Sequence, residues 1–123
     1  LLQRSRAGLI TMVSEDHDGQ IIGFISGGPV RHRDPRFQAE ISSLYVLKDH
    51  QRDGHGRRLF LAASNRLAER GYSGLFIWVL ADNPARAFYE TMGGAAVTET
   101  ERSFAGKMLR EVGYGWPEIP RYG

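Results

Sequence analysis

The chain has 123 residues, 16 Lys and Arg against 14 Asp and Glu, and no cysteine. That length carries one compact domain with a real core and is too short for two. A net charge of +2 with scattered basic residues argues against a nucleic-acid partner; the lack of cysteine excludes disulfides, thiolate metal sites and a cysteine nucleophile and fits a reducing cytoplasm; and no apolar run is long enough to span a bilayer.

The first residue is Leu and no secretory leader precedes the first apolar run, so the chain reads as an N-terminally trimmed one. Residues 9–13 (Leu-Ile-Thr-Met-Val) read as a strand. Residues 15–20 form a polar turn with Gly19 where positive φ is wanted. Residues 21–28 return as an antiparallel strand, with Gly23, Gly27 and Gly28 marking a bulge and a strand end. Residues 29–38 are charged, contain Pro35 and read as an exposed loop.

Residues 39–46 are the third strand. Simple alternation puts Glu40, Ser42 and Leu44 on one face. A carboxylate inside a strand must reach water or be satisfied. Read alone, Glu40 is more simply a solvated edge residue than a general base. A polar turn at residues 48–51 ends the strand, and Gly54 and Gly56 lead at once into a helical pattern. Free backbone N–H groups at such a helix start, with the positive end of the helix dipole, suit an anion such as a pyrophosphate. On this pattern alone, phosphate binding and a plain tight turn are equally good readings. The loop is neither a dinucleotide fingerprint nor a Walker A loop, because Leu59 stands where the third glycine belongs and no Gly-Lys-Ser/Thr follows.

The helix runs from Gly54 or Gly56 to about Arg70, with Leu59, Ala63 and Leu67 as its apolar stripe and Gly71 as its C-terminal cap. Residues 74–80 are almost continuously apolar, as in a strand covered on both faces. Strand, helix and strand make a right-handed β-α-β unit, so Val46 and Leu80 lie at the same end of neighbouring parallel strands, where ligands bind in such sheets. Asn83 and Pro84 then start a short helix, in which Ala87 and Met92 face the sheet. Two further strands, at residues 95–100 and 108–116, meet at a turn containing Ala105 and Gly106. An irregular tail follows. His17, His32, His50 and His55 show no metal-ligand spacing, and no metal is expected.

The set Glu40…Leu44-Tyr45-Val46…Gln51-x-x-Gly54-x-Gly56…Asn83…Phe88-Tyr89-Glu90 resembles the GNAT superfamily of acetyl-CoA-dependent N-acetyltransferases. The resemblance extends from about Leu9 to Trp116. It implies an α/β (α+β) fold: a mixed, mostly antiparallel sheet with a central, splayed parallel strand pair and flanking helices. Residues 1–123 then form a single acyl-CoA N-acyltransferase domain, lacking the strand and helices that the family places before the segment matching Leu9. Acetyl-CoA is implied as co-substrate. Its pantetheine would pair with the backbone of Leu44, Tyr45 and Val46. Its pyrophosphate would meet the N–H groups of Gln51, Arg52, Asp53, Gly54, His55, Gly56 and Arg57, and Asn83 and Arg86 would approach it from the following helix. Homodimers are common among proteins of this kind. Lys48, Asp53 and Gly93-Gly94 depart from the family pattern.

The resemblance also implies a mechanism. Glu40, at the open end of the splayed strands, would accept a proton from the amine, directly or through water. Tyr89, with an ordinary phenol pKa of about 10, would protonate the departing thiolate. Without cysteine an acetyl-cysteine intermediate is excluded, so transfer would be direct, in a ternary complex. Two other readings stand beside the enzyme: a non-catalytic acyl-CoA-binding module of the same fold, and a plain α/β interaction domain.

Overall fold

The computed structural model describes residues 2–6, 8–31 and 36–121. In chain order the elements are β1 (Leu2–Arg6), β2 (Leu9–Glu15), β3 (Ile21–Pro29), β4 (Ala39–Val46), a 3-10 turn (Lys48–His50), α1 (His55–Glu69), β5 (Leu75–Leu80), α2 (Ala85–Thr91), β6 (Ala95–Phe104) and β7 (Lys107–Trp116). The strands form one seven-stranded sheet in the order β1-β2-β3-β4-β5-β7-β6. All neighbours are antiparallel except β4 and β5. This is the mixed sheet with a central parallel pair that the sequence implies.

Helix α1 crosses between the two parallel strands and lies on one face. Its stripe of Leu59, Phe60, Ala63 and Leu67 is fully buried against Ile10, Ile25, Ile41, Leu75 and Ile77 from four strands. Burying an apolar side chain of that size contributes about 1.5–3 kcal/mol, so this face fixes where α1 sits. The opposite face carries Phe37, Phe76 and Trp78, with ring centroids 5.6 and 4.9 Å apart in successive pairs. Gly71 (φ 89°) follows α1, as expected. Ala105 and Gly106 (φ 51° and 80°) make the tight turn between β6 and β7.

Three expectations are corrected. A strand, β1, pairs with β2 ahead of Leu9. Its sequence, LQRSR, has no apolar alternation to announce it. In α2, Ala87 is exposed, whereas Tyr89 and Met92 are buried; on a short helix only the stripe near positions 85, 88–89 and 92 can meet the sheet. In β4, a register shift pairs Ser26 with Ser43 but Gly27 with Ile41, which leaves Ser42 as an extra residue. This bulge resets the alternation. Leu44 therefore shares the α1 face with Ile41 and packs against the core, rather than lying beside Glu40. Residues 32–35 of the expected loop, with His32 and Pro35, lie outside the described residues.

Candidate active site

β4 and β5 pair at only three positions, Ala39↔Leu75, Glu40↔Phe76 and Ile41↔Ile77. Past the bulge they diverge, β4 to Val46 and β5 to Leu80. The wedge between them is a cleft of about 230 Å³, lined by Ser42, Ser43 and Leu44 on one side and by Trp78, Leu80 and Glu111 on the other, with Tyr89 and Asn83. On the side of the helices lies a wider one of about 560 Å³, lined by Leu44, Tyr45 and Val46, by Gln51, Arg52 and Gly56, and by residues 83–85 with Phe88 and Tyr89. The two share Leu44, Asn83 and Tyr89. On its cleft side β4 has no ladder partner beyond Ile41, so its free edge can pair with an extended ligand.

The loop after β4 is held open at its mouth. Gln51 Nε2 donates to the Val46 carbonyl at 2.9 Å, which folds the chain back on the strand end. Arg52 (φ 74°) and Gly54 (φ 83°) then take left-handed backbone conformations. The backbone N–H groups of residues 52–57 meet no protein acceptor among the described residues. They cluster at the start of the 15-residue helix α1, where the dipole adds positive potential. Gly56 stands on the first turn. A Cβ there would have Val46 Cγ2 at 3.9 Å as its nearest contact, so the space beside it is the cleft itself.

The side chains of the loop divide. Gln51, Arg52 and Gly56 line the cleft. Asp53 and Arg57 are exposed outside it, and the Asp53 carbonyl accepts from Arg58 Nη2 at 3.3 Å. His55 turns towards β2: its Nδ1 lies 3.0 Å from Ser14 Oγ and accepts from Arg58 Nη2 at 3.1 Å. His50, Asp53 and His55 bring potential ligand atoms within 4.8 Å of one another, a grouping their spacing in sequence does not suggest. Nδ1 of His55 is already engaged.

Tyr89 is 6% exposed, packed edge-on against Trp116 and tilted against Tyr114. Its hydroxyl has no hydrogen-bond partner among the described residues, and the residue borders both parts of the cleft. Burial pushes its phenol pKa upward, so the proton is held throughout the neutral range. Asn83 caps α2, its Oδ1 accepting from the Ala85 N–H at 2.8 Å, which holds its backbone at the rim. Arg86 points elsewhere: Nε donates to the Tyr114 hydroxyl at 3.0 Å and Nη1 to the Ala81 carbonyl at 2.9 Å. Tyr114 in turn donates to Glu90 Oε2 at 2.6 Å, so Arg86 ties α2 to β7 and does not line the cleft.

Glu40 is 2% exposed, and both its oxygens are occupied. Oε1 accepts the Arg31 N–H at 3.0 Å, and Oε2 accepts Nε at 3.2 Å and Nη2 at 2.6 Å. The Arg31 side chain is itself 70% exposed, and the pair keeps its guanidinium firmly protonated. Glu40 sits where β4 and β5 are still joined, not at the open end of the splay as expected. A desolvated carboxylate needs donors, and Arg31, arriving from the loop after β3, supplies them. Glu111, on β7 opposite Leu80, differs. Its side chain is 15% exposed and lines the wedge. Oε1 lies 3.2 Å from Arg102 Nε, yet without hydrogen-bond alignment, and is buried with no hydrogen-bond partner among the described residues. The sequence marks Glu111 only as a lone acid opening the apolar end of a strand.

Residues 2–94 match the sequence profile of the acetyltransferase (GNAT) family. An uncharacterised N-acetyltransferase of Bacillus subtilis, YuaI, is 35% identical over 116 residues, which is 94% of this chain and 67% of that protein. Among solved structures, the Escherichia coli ribosomal-protein-S18-alanine N-acetyltransferase superposes with a TM-score of 0.74 at 21% identity, covering 97% of this chain and 74% of that one. Arabidopsis thaliana NAA60, solved with a bisubstrate analogue, gives 0.76 at 14% identity, covering 89% and 75%. At these identities the structures speak for the fold alone.

Proposed function

The chain belongs to the acetyltransferase (GNAT) family, and from that premise we propose that it moves the acetyl group of acetyl-CoA to a primary amine, by direct transfer within a ternary complex. The observation that carries this reading is the Tyr89 hydroxyl, borne on a buried ring and without a hydrogen-bond partner among the described residues, at the junction of the strand wedge with the wider cleft under the open loop.

The residues present fit acetyl-CoA. The N–H groups of residues 52–57 and the α1 dipole supply an anion cradle for its diphosphate, with Arg52 beside it. The free edge of β4 from Leu44 to Val46 would offer backbone groups to the pantetheine arm, and Tyr89 lines the same cleft. When bound, acetyl-CoA supplies an activated acyl carbon and a thiol leaving group of pKa near 8.5. Tyr89 holds its proton at neutral pH and gives it to the departing sulfur. A backbone N–H of β4 near Val46 polarises the carbonyl oxygen. A positioned proton donor of this kind contributes about 10²–10⁴-fold. Asn83 and Arg86 hold α2, and with it Tyr89, in place; Arg86 does so through Tyr114. Glu40 anchors Arg31 and with it the loop that follows β3.

The test is turnover by the complete chain with acetyl-CoA and a panel of amines, following free thiol and the mass of the product. Intersecting double-reciprocal lines and an acetylated amine are expected. Parallel lines would remove the ternary complex. A thermal shift with CoA but no transfer to any amine would leave a binding module in place of an enzyme.

A further inference from the structure

The acetyltransferase reading leaves open which group takes the proton from the attacking amine. We propose that Glu111 is that group, and that the amine enters from the sheet face opposite α1. This inference rests on the acetyltransferase reading.

Glu40 pairs with Phe76, and Leu80 pairs with Glu111. Phe76 and Leu80 are four apart on one strand, so both acids lie on the same face, away from α1. The two carboxylates differ in their surroundings. Arg31 directs one backbone and two guanidinium donors at Glu40. Glu111 has a buried oxygen with no hydrogen bond among the described residues. A buried acceptor left without a donor is unfavourable and uncommon in folded proteins. Among the described residues, the charged neighbours that face Glu111 are Arg102 on β6, misaligned at 3.2 Å, and Arg31, close enough to interact with Glu111 through space. Oε1 is enclosed on the Arg102 side, whereas Oε2 is not enclosed and accepts no hydrogen bond among the described residues, which leaves it to meet the wedge, where Glu111 shares the cleft with Tyr89. A substrate ammonium there would donate to Oε2.

Position along the strands agrees. Glu40 sits where β4 and β5 are joined and no ligand can pass. Glu111 sits opposite Leu80, where they stand farthest apart. The acyl donor arrives through the wide cleft on the helix side, and the amine arrives through the wedge. Tyr89 stands at the boundary they share.

The proton balance closes. A primary ammonium, of pKa about 10.4, is a free amine in only roughly one part in a few thousand near pH 7. Glu111 takes one proton from it, directly or through a water. The nitrogen lone pair forms the C–N bond as the C–S bond breaks, and the sulfur takes the Tyr89 proton. The amide nitrogen sheds its remaining extra proton, which restores the phenol, and Glu111 releases its own to solvent. One proton is released per turnover.

The experiment compares wild type, Glu111→Gln, Glu111→Asp and Arg102→Gln in the complete chain. The probes are cadaverine, free lysine and an alanine-initiated hexapeptide, each at saturating acetyl-CoA. Glu111→Gln is expected to lose at least 100-fold in kcat/KM for the best probe, with the acetyl-CoA-induced rise in Tm unchanged. Glu111→Asp should recover part of the loss, about 10-fold above Gln. Arg102→Gln removes the ion pair but not the carboxylate, and should stay within about 3-fold of wild type. Glu111→Gln within 3-fold of wild type overturns the assignment, and so does an equal loss in Glu111→Gln and Arg102→Gln, which marks a structural ion pair. Should Glu111→Gln not fold, the Asp and Arg102 variants decide between the same outcomes. No transfer by wild type to any probe overturns the acetyltransferase reading, and this inference with it.

Discussion

Gly56→Ala separates a structural glycine from a binding glycine. The residue sits on the first turn of α1 with no positive φ, and a new Cβ would touch nothing closer than Val46 Cγ2 at 3.9 Å. Alanine is therefore accepted by the fold, and it removes backbone freedom from the unfolded chain. Gly to Ala within a helix contributes about 0.5–1 kcal/mol, and on a first turn about 0.5 is reasonable. For a domain of this size, roughly 4 °C of Tm accompany each kcal/mol, so the free variant should melt about 2 °C higher. The same methyl projects into the cleft beside the N–H cradle. A tenfold loss of acetyl-CoA affinity is the expected result. Ligand at 100 times its Kd stabilises by about 2.7 kcal/mol, and after a tenfold loss by about 1.4. The ligand-induced rise should thus shrink from roughly 10 °C to roughly 5 °C, and the two melting curves exchange order when acetyl-CoA is added. Differential scanning calorimetry with and without ligand reads both effects. A variant stabilised by acetyl-CoA as fully as wild type would mean that the diphosphate is held somewhere other than this loop.

Four further outcomes follow from named contacts. Tyr89→Phe should lower kcat by about 10²–10³-fold with acetyl-CoA affinity unchanged, since the ring still packs and only the proton is lost. Because burial raises the Tyr89 pKa, its acid role is complete at neutral pH and is lost only as pH climbs past that elevated value. Its stability contribution behaves alike, intact below about 10 and draining above, so a pH–rate profile with an alkaline limb near 8 would have to come from another group. Arg31→Ala leaves the buried Glu40 with one backbone donor; discounting for the exposed guanidinium, a loss of about 2 kcal/mol is expected by chemical denaturation. Glu40→Gln should also destabilise, yet leave kcat within a few-fold, and a 100-fold fall in kcat with normal stability would return the base role to Glu40. Asp16 Oδ1 accepts the N–H groups of Asp18 and Gln20, and the Gln20 bond above all holds its carboxyl below the usual range. Asp16→Ala should lower Tm at pH 7, and the gap should close as pH falls below about 4, where the wild-type carboxylate is lost as well.

Local periodicity made much of the architecture legible. The stripe of Leu59, Ala63 and Leu67, the continuous apolar run of β5 and the short link between β2 and β3 each specify an element on their own, and the structure has all of them. What was hidden depends on residues distant in the chain. A bulge at Ser42 inserts one residue into β4, and a period of two cannot register an insertion, so simple alternation puts Leu44 on the wrong face. Glu40 owes its environment to Arg31, nine residues earlier and beyond a loop. Arg86 is drawn to Tyr114, 28 residues later. The position of Tyr89 near the cleft follows from a helix that starts directly after β5, whereas the lack of a hydrogen-bond partner for its hydroxyl among the described residues appears only once Tyr114, Trp116 and the wedge are assembled around it.

The three paired positions between β4 and β5 have a mechanical consequence. The sheet is two leaves, β1 to β4 and β5 to β7, stitched by a short seam and backed by α1. Anything that lodges in the wedge and bonds to both margins lengthens that seam. The amide hydrogens of Leu44 and Val46, which point away from β3, should therefore exchange readily in the free protein and slow sharply when CoA is added, while those of the β6–β7 hairpin keep the same exchange rate in both states. The ligand would serve as the missing rungs of the ladder, and the molecule would be stiffest at the moment it holds its substrate.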